Sequence, residues 1–189
     1  MTTTTTDFRP LTGTYTIDAS HSRIGFVARH AMVTKVRGSF NDFEGTATID
    51  GQTPSNSSVQ VTINVESIDT RNAQRDDHIR TNDFLDVATY PQITFVSTSV
   101  EHVGGDDFGT FNVTGDLTIR GVTKSVTIPL EYQGSASDPF GNARVGFEGS
   151  VVINRKDWGV NWNAALETGG VLVSEKVTLE FEISAIKSA

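Results

Sequence analysis

The sequence predicts an all-β protein and, within that class, an antiparallel barrel of about eight strands with one short helix. Three observations carry this prediction. β-Branched residues crowd out helix formers, with 25 Thr, 20 Val and 12 Ile against 12 Ala and 7 Leu. Apolar and polar residues alternate in segment after segment, the mark of strands with one buried face. Several segments run to about ten residues, long for strands, and such edges invite aggregation unless a barrel closes them. Small residues recur on the inner faces: Ala28, Gly38, Gly45, Ala47, Gly115 and Gly149. A sandwich would fill those faces with larger side chains. Inner glycines either let strands bend or leave room for a ligand, and the sequence leaves both readings open.

The elements follow in order. Residues 1–12 begin with a run of threonines and read as a disordered Thr-rich tail, and residues 13–189 read as one domain. In the first long strand Ile24, Phe26, Ala28 and His30 share a face. Val36, Gly38 and Phe40 keep one phase, whereas Phe43, Gly45, Ala47 and Ile49 keep the opposite one. The slip at Asn41-Asp42 predicts a bulge or sharp bend. Gly51 to Ser58 is a polar loop. Val59, Val61, Ile63 and Val65 form a strand face, and Ile93 and Phe95 open another after Pro91. Gly104-Gly105 reads as a turn. Phe111 to Ile119 and Val126 to Tyr132 make a hairpin about Arg120 to Lys124, Val145 to Ile153 follow, and Val177 to Ile183 close the pattern. Only Arg71 to Asp86 lacks the two-residue period. It reads as a short helix with Ile79 and Phe84 facing the sheet.

Leu, Ile, Val and Phe make up about 26% of the chain, above the roughly 20% below which chains stay disordered, so a packed core is possible. The formal net charge is −8 without a basic block, which disfavours a nucleic-acid partner. The absence of Cys removes disulfides, thiol catalysis and cysteine-ligated metals. No apolar run is long enough for an integral membrane segment. Threonines stand where a secretory signal would carry its apolar stretch, so the expected location is the cytoplasm. Nucleotide-binding and nucleophile-elbow signatures are absent.

Four histidines are the candidates for metal or general-base chemistry. His30 is in phase with Ile24 and Phe26 and should point inward. His21 opens a strand, His78 lies on the helix, and His102 adjoins an acidic loop. Metal-ligand spacing is absent, so hydrogen-bonded histidines that fix a loop or a ligand head group are preferred, with no metal, no cofactor and no catalytic residue assigned. Trp158 and Trp162, with Gly159 between them, suit either a loop folded over an opening or aromatic plugs at a barrel end. Arg155 and Asp157 suit a surface ion pair.

These residues together resemble the YceI-like lipid/polyisoprenoid-binding family. The resemblance runs from Tyr15-x-Ile17-Asp18-x-x-His21-Ser22-x-Ile24-x-Phe26 through His30 and Gly38-x-Phe40-x-x-Phe43. It continues in Arg75-Asp76-x-His78-Ile79-Arg80, Asp83-Phe84-Leu85-Asp86 and Gly115-x-Leu117-Thr118-Ile119-x-Gly121, and ends in Arg155-x-Asp157-Trp158-Gly159-Val160-x-Trp162. The family more often has Phe at the positions of Trp158 and Leu85, which implies a different cavity length or ligand preference here. The resemblance implies an extended lipocalin-like antiparallel β-barrel with an apolar tunnel that carries a long isoprenoid or another amphiphilic lipid.

The expected function is therefore a non-enzymatic carrier or store. Strands of about ten residues, tilted about 40°, give a barrel ~25 Å tall, room for a bent chain of about twenty carbons. The expected wall is Phe26, Phe40, Phe43, Val61, Ile63, Phe84, Phe95, Phe111, Leu117, Ile128, Phe147, Trp158, Trp162 and Phe181. His30, His78 and Arg155 are the expected head-group contacts. A homodimer through an apolar mouth is compatible with the chain. Two other readings stay open. A lipid-acting isomerase or hydratase with a cavity His and Asp predicts turnover. A ligand-free stress-related interaction protein predicts a solid core.

Overall fold

The computed structural model describes residues 6–103, 109–167 and 169–188. The Gly104-Gly105 turn and the first five residues of the Thr-rich tail lie outside the described residues. Among the described residues eleven strands form one closed antiparallel sheet: β1 (Gly13–Ile17), β2 (Arg23–His30), β3 (Thr34–Phe40), β4 (Phe43–Ile49), β5 (Ser58–Asn64), β6 (Ile68–Asp69), β7 (Gln92–Val103), β8 (Thr110–Ile119), β9 (Val122–Ser137), β10 (Ala143–Asn154) and β11 (Lys176–Lys187). They make only eight staves. β1 and β2 run end to end along β11, β3 and β4 run along them, and β5 and β6 along those. Every stave pairs with its neighbours in sequence, and the last pairs with the first, which is the up-and-down barrel.

The breaks have local causes. The phase slip at Asn41-Asp42 separates β3 from β4, and it lies beside the 3-10 turn Val65–Ser67 between β5 and β6. The two interruptions are stitched together: Asn41 N donates to Ser67 O at 3.2 Å, and Asn64 N donates to Asp42 O at 3.0 Å. These bonds give backbone groups partners where the ladder stops. The β8–β9 hairpin turns in two residues, Arg120 and Gly121, at φ 49° and 72°. Positive φ at both central positions matches the right-handed twist of the strands.

The expected helix over Arg71 to Asp86 is shorter, α1 (Ala73–Arg80). Asn72 caps it, its side chain accepting from Arg75 N at 2.9 Å, and Thr81 ends it by donating its hydroxyl to His78 O at 2.6 Å. Asp86 at φ 50° then turns the chain back. Arg80 donates to the Glu66 carbonyl from Nε (3.1 Å) and Nη2 (2.9 Å), and Arg120 donates to the Phe84 carbonyl at 2.7 Å. Helix and following turn are thereby held across one barrel end, with Ile79 and Phe84 facing inward as expected.

The other end is closed by the N-terminal segment. In place of a featureless tail, Arg9–Leu11 form a 3-10 turn, and Phe8 and Leu11 are buried. Phe8 meets His102, Phe111 and Tyr132 edge-on, with centroids 5.3, 5.2 and 5.5 Å away. Tyr15 donates its hydroxyl to Leu11 O at 2.8 Å.

The inner glycines neither line open space nor act through bending alone. A Cβ at Gly38 would stand 2.4 Å from Phe26 Cζ, and one at Gly115 would stand 2.5 Å from Phe95 Cζ. Gly38 and Gly115 make room for a neighbouring ring, whereas Gly45 makes room for Ile17 and Gly149 lets the Pro129 carbonyl approach.

Candidate functional site

Alternation turns one face of every stave inward, and the barrel interior contains two cavities. The first, about 210 Å³, lies toward the Phe8 end and is walled almost wholly by apolar atoms. The second, about 580 Å³, lies under α1 and the 155–173 segment. They share the wall residues Phe40, Ile93, Ile119 and Leu179 and so lie next to one another. The larger one falls within the ~300–1,000 Å³ of small-molecule pockets.

The expected wall residues distribute between the two cavities. Val61, Ile63, Phe95, Phe111, Leu117, Ile128, Phe147 and Phe181 line the first. Phe26, His30, His78, Phe84, Arg155, Trp158 and Trp162 line the second, and Phe40 lines both. Phe43 lines neither. It is buried in the core, opposite Ile63 on the next stave.

Thr48, Asp50, Ser57 and Ser58 border the first cavity but turn almost no polar surface into it, whereas polar groups are open to the second. Its rim carries Arg29, His30, Asn72, Gln74, Arg75 and His78. His78 Nε2 lies 2.8 Å from Asp83 Oδ2, and its ring meets Phe84 and Trp162 edge-on. Arg75 donates Nε to the Thr70 hydroxyl at 2.8 Å and Nη2 to the Thr70 carbonyl at 2.6 Å. Asp76, buried, accepts the Thr70 amide at 2.8 Å and the Thr70 hydroxyl as well. Arg75 is thereby fixed in place while its Nη1 has no protein partner among the described residues. The residue reading passed over Arg75 as a contact, yet the signal was present. It stands three residues before His78, hence on the same helix face.

One reading is corrected. Arg155 makes no surface ion pair with Asp157. It is buried and donates to three carbonyls: Val160 at 2.6 Å, Ser174 at 2.8 Å and Val173 at 3.3 Å. Burial pulls its guanidinium below the ordinary value, but an arginine remains charged. Its donors clamp the chain from Arg155 to Ser174 over the cavity. The two tryptophans also differ. Trp158 is a plug, buried, with its indole N–H donating to Leu117 O at 2.9 Å, whereas Trp162 is partly exposed beside His78.

The histidines do not converge. His30 and His78 line the second cavity. His21 sits in the 3-10 turn Ala19–His21, exposed and 2.7 Å from Asp18 Oδ2, and His102 stacks on Phe111 toward the other end. No group of three or more metal-type side chains occurs among the described residues, and no helix there is long and apolar enough to cross a membrane.

Fold and interior together define a closed eight-stave β-barrel protein with a capped, apolar inside. Residues 15–185 match the YceI-like domain, and the chain belongs to that family. It is 44% identical to Protein YceI of Escherichia coli over 148 residues, 77% of this chain and 75% of that protein. The crystal structure of Burkholderia cenocepacia BcnA superposes with a TM-score of 0.77 at 28% identity, covering 89% of this chain and 98% of that one. The Campylobacter jejuni YceI protein gives 0.70 at 26% identity, over 85% and 90%. A polyisoprenoid binding domain from Saccharophagus degradans shares the fold at a TM-score of 0.68 and 17% identity, over 92% and 98%.

Proposed function

We propose that the protein holds one long-chain amphiphile, an isoprenoid or related lipid, in its barrel and acts as its carrier or store. The observation that carries this reading is the pairing of two adjoining, largely apolar cavities with polar side chains open to the larger one. An apolar chain gains roughly 0.8 kcal/mol per buried CH₂ along either cavity, which gives affinity without selectivity. Selectivity falls to chain length and to the head group. The Phe8 plug limits the length. Arg75, with a free Nη1, and the imidazoles of His30 and His78 receive an anionic or polar head. The polyisoprenoid binding of the Saccharophagus domain supports the choice of chain. The largely apolar lining favours holding over chemistry.

A titration of lipid-stripped protein with fluorescent isoprenoid and fatty-acyl chains tests the reading. It predicts saturable one-to-one uptake, at least tenfold weaker for a phosphorylated chain after Arg75→Gln. Absence of saturable uptake for every chain overturns it. The His78–Asp83 contact favours one second reading, a lipid-acting isomerase or hydratase. That reading requires product formation on incubation with the bound lipid and its loss in His78→Gln. The third reading expects a filled barrel, and the two cavities weigh against it.

A further inference from the structure

We propose that the β2–β3 hairpin is a membrane-docking element that seats the mouth of the larger cavity on an anionic bilayer. The turn between these strands is Ala31-Met32-Val33, closed by Val33 N donating to His30 O at 3.0 Å. Ala31 and Met32 sit at φ 50° and 63°. Turns of this kind take Asn or Gly there, because a side chain strains at positive φ. Here the turn instead presents apolar side chains to solvent: Met32 is 62% exposed and Val33 73%. Strain retained at an exposed apolar tip points to function rather than folding.

The charge behind the tip is as unusual. Arg29 stands directly opposite Lys35, and Arg37 follows on the same strand, opposite Val27. Like charges directly opposed across a ladder are unfavourable. All three are exposed, and none has a carboxylate partner among the described residues. Arg71, also exposed, follows Asp69, whose register partner on β3 is Ser39. Of the acidic neighbours, Glu175 follows Ser174, whose hydroxyl accepts from Arg29 N, but pairs with Lys156 at 2.8 Å. Glu167 is exposed on the 166–170 turn that abuts Met32. Those on β11 lie farther down the barrel, Glu180 opposite Gly25 and Glu182 opposite Arg23. A chain of net charge −8 thus concentrates unpaired cations around one apolar tip. Apolar side chains that insert and cations that meet anionic head groups are the two terms of interfacial binding.

The position adds a third observation. Ala28, His30 and Val36 of the same hairpin line the larger cavity, and Ala31 N donates to Leu172 O on the segment that covers it. Docking the tip therefore brings the mouth against the bilayer, where an apolar ligand passes from lipid to barrel without crossing water. The docking itself rests on the hairpin. Only its role in loading rests on the proposed lipid cargo.

Flotation of the full chain with vesicles tests the docking. One set is pure phosphatidylcholine, and the other contains phosphatidylglycerol as well. The protein should float with the anionic set only and lose binding as salt is raised. Each cation near the surface is worth about fivefold, so the double variant Lys35→Gln/Arg37→Gln should bind about 30-fold more weakly. Val33→Asp, at an exposed turn position with little effect on folding, should abolish flotation. Equal binding to both vesicle sets, no binding to either, or variants that float like the parent would overturn the proposal. Uptake of a fluorescent isoprenoid from detergent, measured in parallel, separates the two readings. Intact uptake with lost flotation is expected of the variants. Flotation of the parent without any uptake would sink the cargo and leave the docking standing.

Discussion

Replacing Arg155 by Met distinguishes a clamp from a head-group contact, and the expected cost follows from the carbonyls the guanidinium serves. The Val173 carbonyl keeps a partner, since Asn163 Nδ2 also donates to it at 2.8 Å. The Val160 and Ser174 carbonyls lose their only partners among the described residues. An orphaned buried carbonyl costs about 1–3 kcal/mol. Val160 is buried and Ser174 only partly so, and Met retains the apolar stem, which sets the total at about 3 kcal/mol. For a domain of this size that lowers Tm by about 6–12 °C. Differential scanning calorimetry reads the shift, and a lipid titration on the same sample reads affinity. An unchanged Tm with at least tenfold weaker binding of a phosphorylated chain would refute the clamp and restore Arg155 as a head-group contact.

Three further outcomes are expected. Gly115→Ala places a Cβ 2.6 Å from the Val96 carbonyl as well as against Phe95, so chemical denaturation should show a loss of about 1–3 kcal/mol. Ala28→Phe projects a ring into the larger cavity, and calorimetry should find the fold intact while the longest chains bind at least tenfold more weakly. Arg144 lies 2.8 Å from both Asp18 and Asp138 and holds their carboxyls well below the ordinary range. Stability from that trio is full above the ordinary carboxylate pKa of about 4 and is lost as pH falls toward the depressed values. Arg144→Leu should therefore raise the pH midpoint of acid unfolding, read by circular dichroism.

The staves were legible because half-buried strands impose a two-residue period, and even the β3–β4 break showed as a slip of phase. The break between β5 and β6 did not show, since Val65 and Ile68 both remain buried through the 3-10 turn. Most of the apolar wall followed from the same alternation. Arg155 did not follow, because two of its three partners come from Val173 and Ser174, where the chain returns to it. Phe8 was missed because one aromatic in a Thr-rich segment has no periodicity. The glycines were ambiguous in sequence because only the fold shows what fills the room they leave: Phe26 at Gly38, Phe95 at Gly115, Ile17 at Gly45 and the Pro129 carbonyl at Gly149.

Mass spectrometry of the purified protein, native and then after organic extraction, tests the central claim most directly. The account predicts one stoichiometric long-chain species per barrel, enriched over a control protein from the same host. A clean unliganded mass that stays unchanged when isoprenoids and fatty acids are added back would contradict it.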